Sequence, residues 1–109
     1  MIDIENMKCI VEQEIKKRHF ESLHYVLFDE TKRVQWAFHL FYRDGKFMIN
    51  GRDDRSYVIG NTIEFTSFED AKIAFWERLE HFVESTKKGL KVGFSPYYPS
   101  PLWDDEKTD

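Results

Sequence analysis

One alternating stretch, residues 34–43, constrains the fold more than any other part of the sequence. Every second residue in it is large and apolar: Val34, Trp36, Phe38, Leu40 and Tyr42. A β-strand points successive side chains to opposite faces of a sheet, so this spacing predicts a strand with one buried face. Asp44-Gly45 comes next and favours a tight turn, because type I′ turns need a positive φ at both positions. We therefore predict an antiparallel hairpin whose second strand is residues 46–50.

Two further strands are predicted on either side of this hairpin. Residues 23–29 are rich in β-forming side chains and lead into a polar connection that ends at Arg33. After a charged turn at residues 52–55, Tyr57 and Ile59 begin a strand that we expect to continue beyond Gly60-Asn61 to Phe65. Four consecutive strands with short connections predict an antiparallel meander, in which neighbours in sequence are neighbours in the sheet.

Helices are predicted before and after the sheet. The first should run from the N-cap Asp3 to His19, with an apolar stripe at helical spacing formed by Ile4, Met7, Val11 and Ile15. The second should begin after the N-cap Ser67, with Gly89 as the residue that terminates it. Its apolar stripe consists of Phe68, Ala71, Phe75, Leu79, Phe82 and Val83. The inner face of the sheet is the apolar surface on which this stripe can pack.

The elements together predict a single α+β domain over residues 1–109. Its order is α-β-β-β-β-α, in a two-layer sandwich with both helices on one face of the sheet. We expect residues 1–89 to form the folded body and residues 90–109 a tail rich in proline and aromatic residues. Tyr97, Tyr98 and Trp103 should pack back onto the body, since exposed aromatic clusters favour aggregation. The acidic end, residues 104–109, should be flexible.

The chain lacks the residue patterns of the common catalytic and metal sites. Its four histidines do not stand at metal-ligand spacing, and the single cysteine, Cys9, cannot complete a zinc set. The five glycines are scattered and form no phosphate-binding loop, and no serine stands in a strained, glycine-framed turn. We predict that the protein is not an enzyme and has neither a cofactor nor a metal.

Charge and hydropathy indicate which partners are unsuitable. The net charge is −4 and no basic patch is visible, so direct nucleic-acid binding is not expected. No apolar run approaches the roughly 18 residues of a membrane span, and the N-terminus does not resemble a secretory signal. A lone cysteine allows no internal disulfide and fits a reducing compartment. These features predict a soluble cytoplasmic protein that binds another macromolecule.

The candidate binding surface combines the outer face of the sheet with the charged turn. Its members are His39, Phe41, Arg43, Arg52, Asp53, Asp54, Arg55 and Tyr57. Aromatic residues and arginine are enriched at protein interfaces, and acidic residues add complementary charge. An alternative remains open at this point: the C-terminal tail could fold over the outer face and cover it. We refer to these eight residues as the predicted surface.

Residues 54–79 show a resemblance to a known family. The matching residues are Asp54-Arg55, Gly60, Glu64-Phe65, Ser67-Phe68-Glu69-Asp70-Ala71, Phe75 and Glu77-Arg78-Leu79. In this order they resemble the immunity proteins of bacterial polymorphic toxin systems, specifically the group catalogued as immunity-protein family fifty-nine. The resemblance implies a cytoplasmic protein that binds a cognate toxin, encoded nearby, and blocks it. The residues themselves also allow a small adaptor or regulatory domain that binds a peptide or small ligand.

Overall fold

A computed structural model of the chain describes residues 3–106, with side chains described as far as Trp103. The elements are α1 (Ile4–Lys17), β1 (Tyr25–Leu27), β2 (Phe38–Arg43), β3 (Lys46–Arg52), β4 (Val58–Phe65), α2 (Phe68–Lys91) and a 3-10 helix (Pro101–Glu106). This order confirms the predicted α+β class and the α-β-β-β-β-α arrangement. The expected flexibility of residues 104–109 lies outside the described side chains.

The sheet has the strand order β1-β2-β3-β4, and one of its three pairings differs from the prediction. β2, β3 and β4 are antiparallel neighbours, whereas β1 runs parallel to β2, with Leu27 opposite Leu40. The sheet is therefore mixed and not a simple antiparallel meander. A parallel neighbour must be entered from the same end, so residues 28–37 travel back along the sheet before β2 begins. β2 accordingly starts at Phe38 and not at Val34, after Trp36 has taken a positive φ of 58°.

Both helices pack on the same face of the sheet, as predicted. The buried cluster takes Val11 and Ile15 from α1, Ala71, Phe75, Leu79 and Val83 from α2, and Leu27, Leu40, Phe47 and Ile49 from the strands. The apolar side chains that recur every second residue in the strands and every third or fourth residue in the helices pack together in this layer. Trp36, Phe38 and Phe82, which their spacing assigns to the apolar faces, are partly buried and pack against this cluster.

The helix starts follow the predicted caps, while the end of α2 does not. The Asp3 carboxylate accepts a hydrogen bond from the Asn6 backbone N–H at 3.0 Å, and the Ser67 hydroxyl accepts one from Asp70 at 3.4 Å. Gly89 lies inside α2, which continues to Lys91. Gly93 is the terminating residue instead: its φ is 97°, and the Phe94 N–H donates to the Gly89 carbonyl at 2.9 Å. This is a Schellman arrangement, in which the left-handed residue follows the C-cap.

The C-terminal segment reaches the helix side of the molecule and joins the core there. Trp103 is completely buried, and its indole N–H donates to the Tyr98 carbonyl at 3.2 Å. The ring of Tyr98 stacks on His24 with 3.7 Å between centroids, and the hydroxyls of Ser22 and Ser100 are 2.7 Å apart. Tyr97 behaves differently: it stacks on Trp36 but stays 60% exposed. Two of the three tail aromatics therefore complete the hydrophobic layer.

Candidate interaction surface

The centre of the outer sheet face is buried, contrary to the expectation for the predicted surface. His39 is completely buried and Phe41 is 3% exposed. The connection between β1 and β2 lies against this face: Glu30 forms an ion pair with Arg43, and Phe28, Glu30 and Phe41 line one small cavity. The tail is not the cover, since its buried aromatics belong to the helix-side core. Neither residue is therefore accessible to a partner in this structure.

His39 is a neutral side chain in the protein interior. Burial, assisted by the positive charge of Arg52, lowers its pKa from 6.5 to about 4, and the carboxylate of Asp29 opposes this shift. Neither ring nitrogen has a hydrogen-bond partner within the part of the chain that the structure describes. A buried imidazole without acceptors strongly favours the uncharged form. His39 consequently contributes to the packing under the β1–β2 connection.

The charged turn at residues 52–57 is held by hydrogen bonds from its own side chains. One carboxylate oxygen of Asp53 accepts hydrogen bonds from the backbone N–H groups of Arg55 and Tyr57, both at 2.9 Å. The Arg52 guanidinium donates to the Ser56 carbonyl and to the Asn50 side chain, each at 3.0 Å. Arg52 and Asp53 thus shape the turn, while Asp54, Arg55 and Tyr57 are exposed on it.

The structure separates Arg43 from this turn. Arg43 pairs with Lys46 at the hairpin end of β2, while Phe38, at the other end of the strand, faces Gly51 beside the turn. The Arg43 guanidinium lies 5.2 Å from the centre of the Phe41 ring and is engaged with Glu30. The predicted surface is therefore not one continuous area: of its eight residues, only those of the 52–57 turn lie together and reach solvent.

The edge strand β4 and the adjoining Tyr57 form a large exposed apolar feature, of which the sequence prediction assigned only Tyr57 to the binding surface. Tyr57, Val58, Ile59 and Ile63 are between 38% and 60% exposed. Such exposure is unusual for residues of these types in a strand and often marks a binding surface. The sequence does contain a local signal that this strand is not half-buried. Tyr57, Val58 and Ile59 are consecutive and apolar, whereas apolar and polar residues alternate in a half-buried strand. Their position at the sheet edge could not be inferred locally.

A groove runs between β4 and α2, and we call it the β4–α2 groove. It consists of two adjoining hollows of about 460 Å³ and about 260 Å³, which share Phe38, Arg78, Phe82 and Tyr97 as lining residues. Ile63 and Glu77 also line the larger hollow, and Ile59 and Arg52 the smaller one. The walls are thus mainly aromatic and aliphatic, with charged groups at few points, a composition typical of sites that anchor a partner side chain.

Comparison with known protein families identifies the family of this chain. The family model described as Immunity protein 59 matches residues 4–104. The chain belongs to this family. The match covers both helices and all four strands and includes Trp103. Searches of the curated proteins and of the solved structures found no significant match.

In this member of the Immunity protein 59 family, the described residues contain no group of three or more His, Cys, Asp or Glu side chains placed to hold a metal ion. No helix among them combines the length and apolar character that a membrane span requires. On the β4 side of the molecule, the accessible surface offers apolar contact along β4 and the groove, with exposed charge at Asp54 and Arg55 of the neighbouring turn.

Proposed function

We propose that this chain binds a cognate bacterial toxin and neutralises it by occluding the toxin's functional surface. Membership of the Immunity protein 59 family, over residues 4–104, is the observation that carries the proposal. We place this activity in the cytoplasm, and the proposed partner is a toxin domain encoded next to the chain. The proposed mechanism requires no chemistry by the chain itself, only a stable contact.

The accessible surface supports a contact of this kind. A specific protein interface takes roughly 20–30 residues from each partner and places its strongest contacts at central aromatic and arginine side chains. Tyr57 and Ile59 offer such apolar anchors, and Asp54 and Arg55 offer charged groups at the neighbouring turn. We therefore propose that the toxin contacts the exposed part of the turn together with β4, while Arg52 and Asp53 hold the turn in shape.

The adaptor alternative rests on the same groove. A partly apolar groove of about 460 Å³ could also receive a peptide or small ligand that is unrelated to a toxin. Family membership favours the immunity function over this alternative, because it covers nearly the whole described chain.

Co-expression tests the proposal directly. The toxin domain encoded beside the chain would be induced in a bacterial host with and without the wild-type chain, and growth would be followed. We expect the chain to restore growth and to co-purify with the domain. Failure to restore growth or to bind would overturn the proposed function.

A pair of single variants then tests the contact surface. Tyr57→Ala should weaken binding by about fivefold or more, because truncation of an aromatic that anchors an interface costs more than about 1 kcal/mol. Val92→Ala is the matched control, since Val92 is also an exposed apolar residue, at 73%, and lies outside β4 and the turn. Equal affinities of the two variants, measured by surface plasmon resonance, would remove Tyr57 from the interface.

A further inference from the structure

Two arginine side chains line the smaller hollow of the β4–α2 groove without an acidic partner. Arg78 makes no hydrogen bond or ion pair with any described side chain. Arg52 donates only to neutral oxygens, those of Asn50 and Ser56; burial together with the charge of Arg33 lowers its pKa, and the carboxylate of Glu30 opposes this shift. Among the described residues that line this hollow, none is acidic.

This arrangement leaves both guanidinium groups without an ion pair among the described residues, in a mainly apolar setting. Phe38, Ile59, Phe82 and Tyr97 form the walls around the two guanidinium groups. Partial removal from water makes an unpaired cation costly and makes an ion pair with it stronger. A carboxylate is the group that matches a guanidinium in charge and in planar, two-pronged geometry. Glu77, which lines the larger hollow, shows that the groove becomes less positive away from Arg52.

The shape of β4 argues for an inserted side chain and against extension of the sheet by a second copy. Between the pairs Ile49–Ile63 and Gly51–Ile59, β3 has one residue and β4 has three. Gly60, within this bulge, has a φ of 69°. Bulges bend an edge strand, interrupt its row of free backbone groups and so disfavour continuous pairing with another strand. The groove beside the strand stays open to a side chain.

We infer that the β4–α2 groove receives an acidic side chain of the toxin, flanked by apolar side chains, with Arg78 as its main contact. This inference rests on the proposed function and adds the chemistry of the contacted segment. Arg52 contributes positive charge while its own hydrogen bonds keep it in place. The charge that these arginines give the groove is positive, opposite in sign to the net charge of the chain, which is −4.

A peptide titration tests the chemistry of the groove without the toxin. The probes are acetyl-Ser-Leu-Glu-Leu-Ser-amide and its twin with lysine in place of glutamate, added to the labelled full chain and followed by NMR. We expect the glutamate peptide to shift amide signals of β4 and of the α2 turn around Arg78, and the lysine peptide to bind at least about fivefold more weakly. Arg78→Gln should abolish the difference, and Lys88→Gln, which removes an equal charge from the exposed end of α2, should keep it. Absence of β4 shifts, or equal binding of the two peptides, would overturn the inference.

A second experiment uses the toxin domain and separates the two proposals. Arg78→Glu should weaken its binding by about tenfold or more through charge repulsion, whereas Lys88→Glu should change it less than about threefold. If the wild-type chain protects cells and Arg78→Glu binds equally well, the inference is wrong and the proposed function stands. If the wild-type chain does not bind the domain, the proposed function fails, and the peptide titration alone decides what the groove selects. A dimer of the chain that Arg78→Glu dissociates would identify a second copy as the occupant and overturn the assignment to the toxin.

Discussion

His39 links the stability of the fold to pH, because it is neutral inside the protein and free to take a proton once unfolded. Its pKa is about 4 in the folded chain and 6.5 in the unfolded reference. Between these values the unfolded state binds more protons, so the free energy of unfolding falls as the pH is lowered through this window. We expect a loss of about 1–3 kcal/mol between pH 7 and pH 4, measured by urea denaturation at several pH values.

The matched variant for this prediction is His39→Leu. Leucine has a similar volume and no ring nitrogens that need hydrogen bonds, so the variant should be at least as stable as the wild type at pH 7. The fall in the free energy of unfolding that His39 causes between pH 7 and pH 4 should be absent from this variant. His81→Gln removes an exposed histidine and serves as the control for general effects. An unchanged pH profile in His39→Leu would show that another group carries the effect.

At the scale of elements, the end of α1 uses an unfavourable residue at a position that suits glycine. His19 has a φ of 62°, and the Phe20 N–H donates to the Ile15 carbonyl at 2.9 Å in the same pattern that ends α2 at Gly93. A left-handed conformation costs an L-residue about 1–2 kcal/mol, and glycine avoids most of this. We expect His19→Gly to raise the free energy of unfolding by about 0.5–1 kcal/mol in a denaturant melt.

The control for His19→Gly is the same substitution inside a helix. His81 is exposed within α2, and glycine there should lower the free energy of unfolding by about 0.3–0.5 kcal/mol, because it loses more conformational entropy on folding. Opposite signs for the two variants would support the role of His19 in ending α1. Destabilisation by His19→Gly would contradict it.

The elements themselves could be predicted from local patterns, whereas their long-range arrangement could not. Alternation fixed the inner face of β2, and Ser67 marked the start of α2, because both signals arise from a few neighbouring residues. The direction of β1 could not be predicted, since a three-residue strand has the same pattern whether it runs parallel or antiparallel. The path of residues 28–37 depends on the packing of the entire sheet.

The candidate site illustrates the same limit. Alternation in β2 shows that its two faces differ, but it does not show what lies over each face. His39 and Phe41 were expected to reach solvent and are covered by the β1–β2 connection. Ile59 and Ile63 were predicted only to lie in a strand, and they are exposed because β4 is the last strand of the sheet. The edge position of β4 follows from the strand order of the whole sheet. Arg78 lines the groove because α2 packs beside this edge strand.

At the scale of the whole molecule, the C-terminal segment is part of the hydrophobic layer. Trp103 is completely buried against Tyr98 and Phe82, so Trp103→Ala should lower the free energy of unfolding by about 3–5 kcal/mol. Tyr97→Ala, at an exposed aromatic of the same segment, should cost less than about 1 kcal/mol. Both values come from chemical denaturation followed by circular dichroism. Equal effects would show that the segment packs differently.

The contacts between His24 and Tyr98 and between Ser22 and Ser100 have a consequence for the order of folding. They join residues 74 and 78 positions apart in the chain, while β2, β3 and β4 are linked by hairpins between sequence neighbours. Closing a long loop costs more entropy than closing a hairpin, so the three-stranded unit can assemble before β1 is fastened. The same logic holds in reverse. Residues 22–24 and 98–100 stabilise each other, so the detachment of one segment removes the contacts of the other. We therefore expect the two segments to unfold locally as one cooperative unit while the hairpins stay folded.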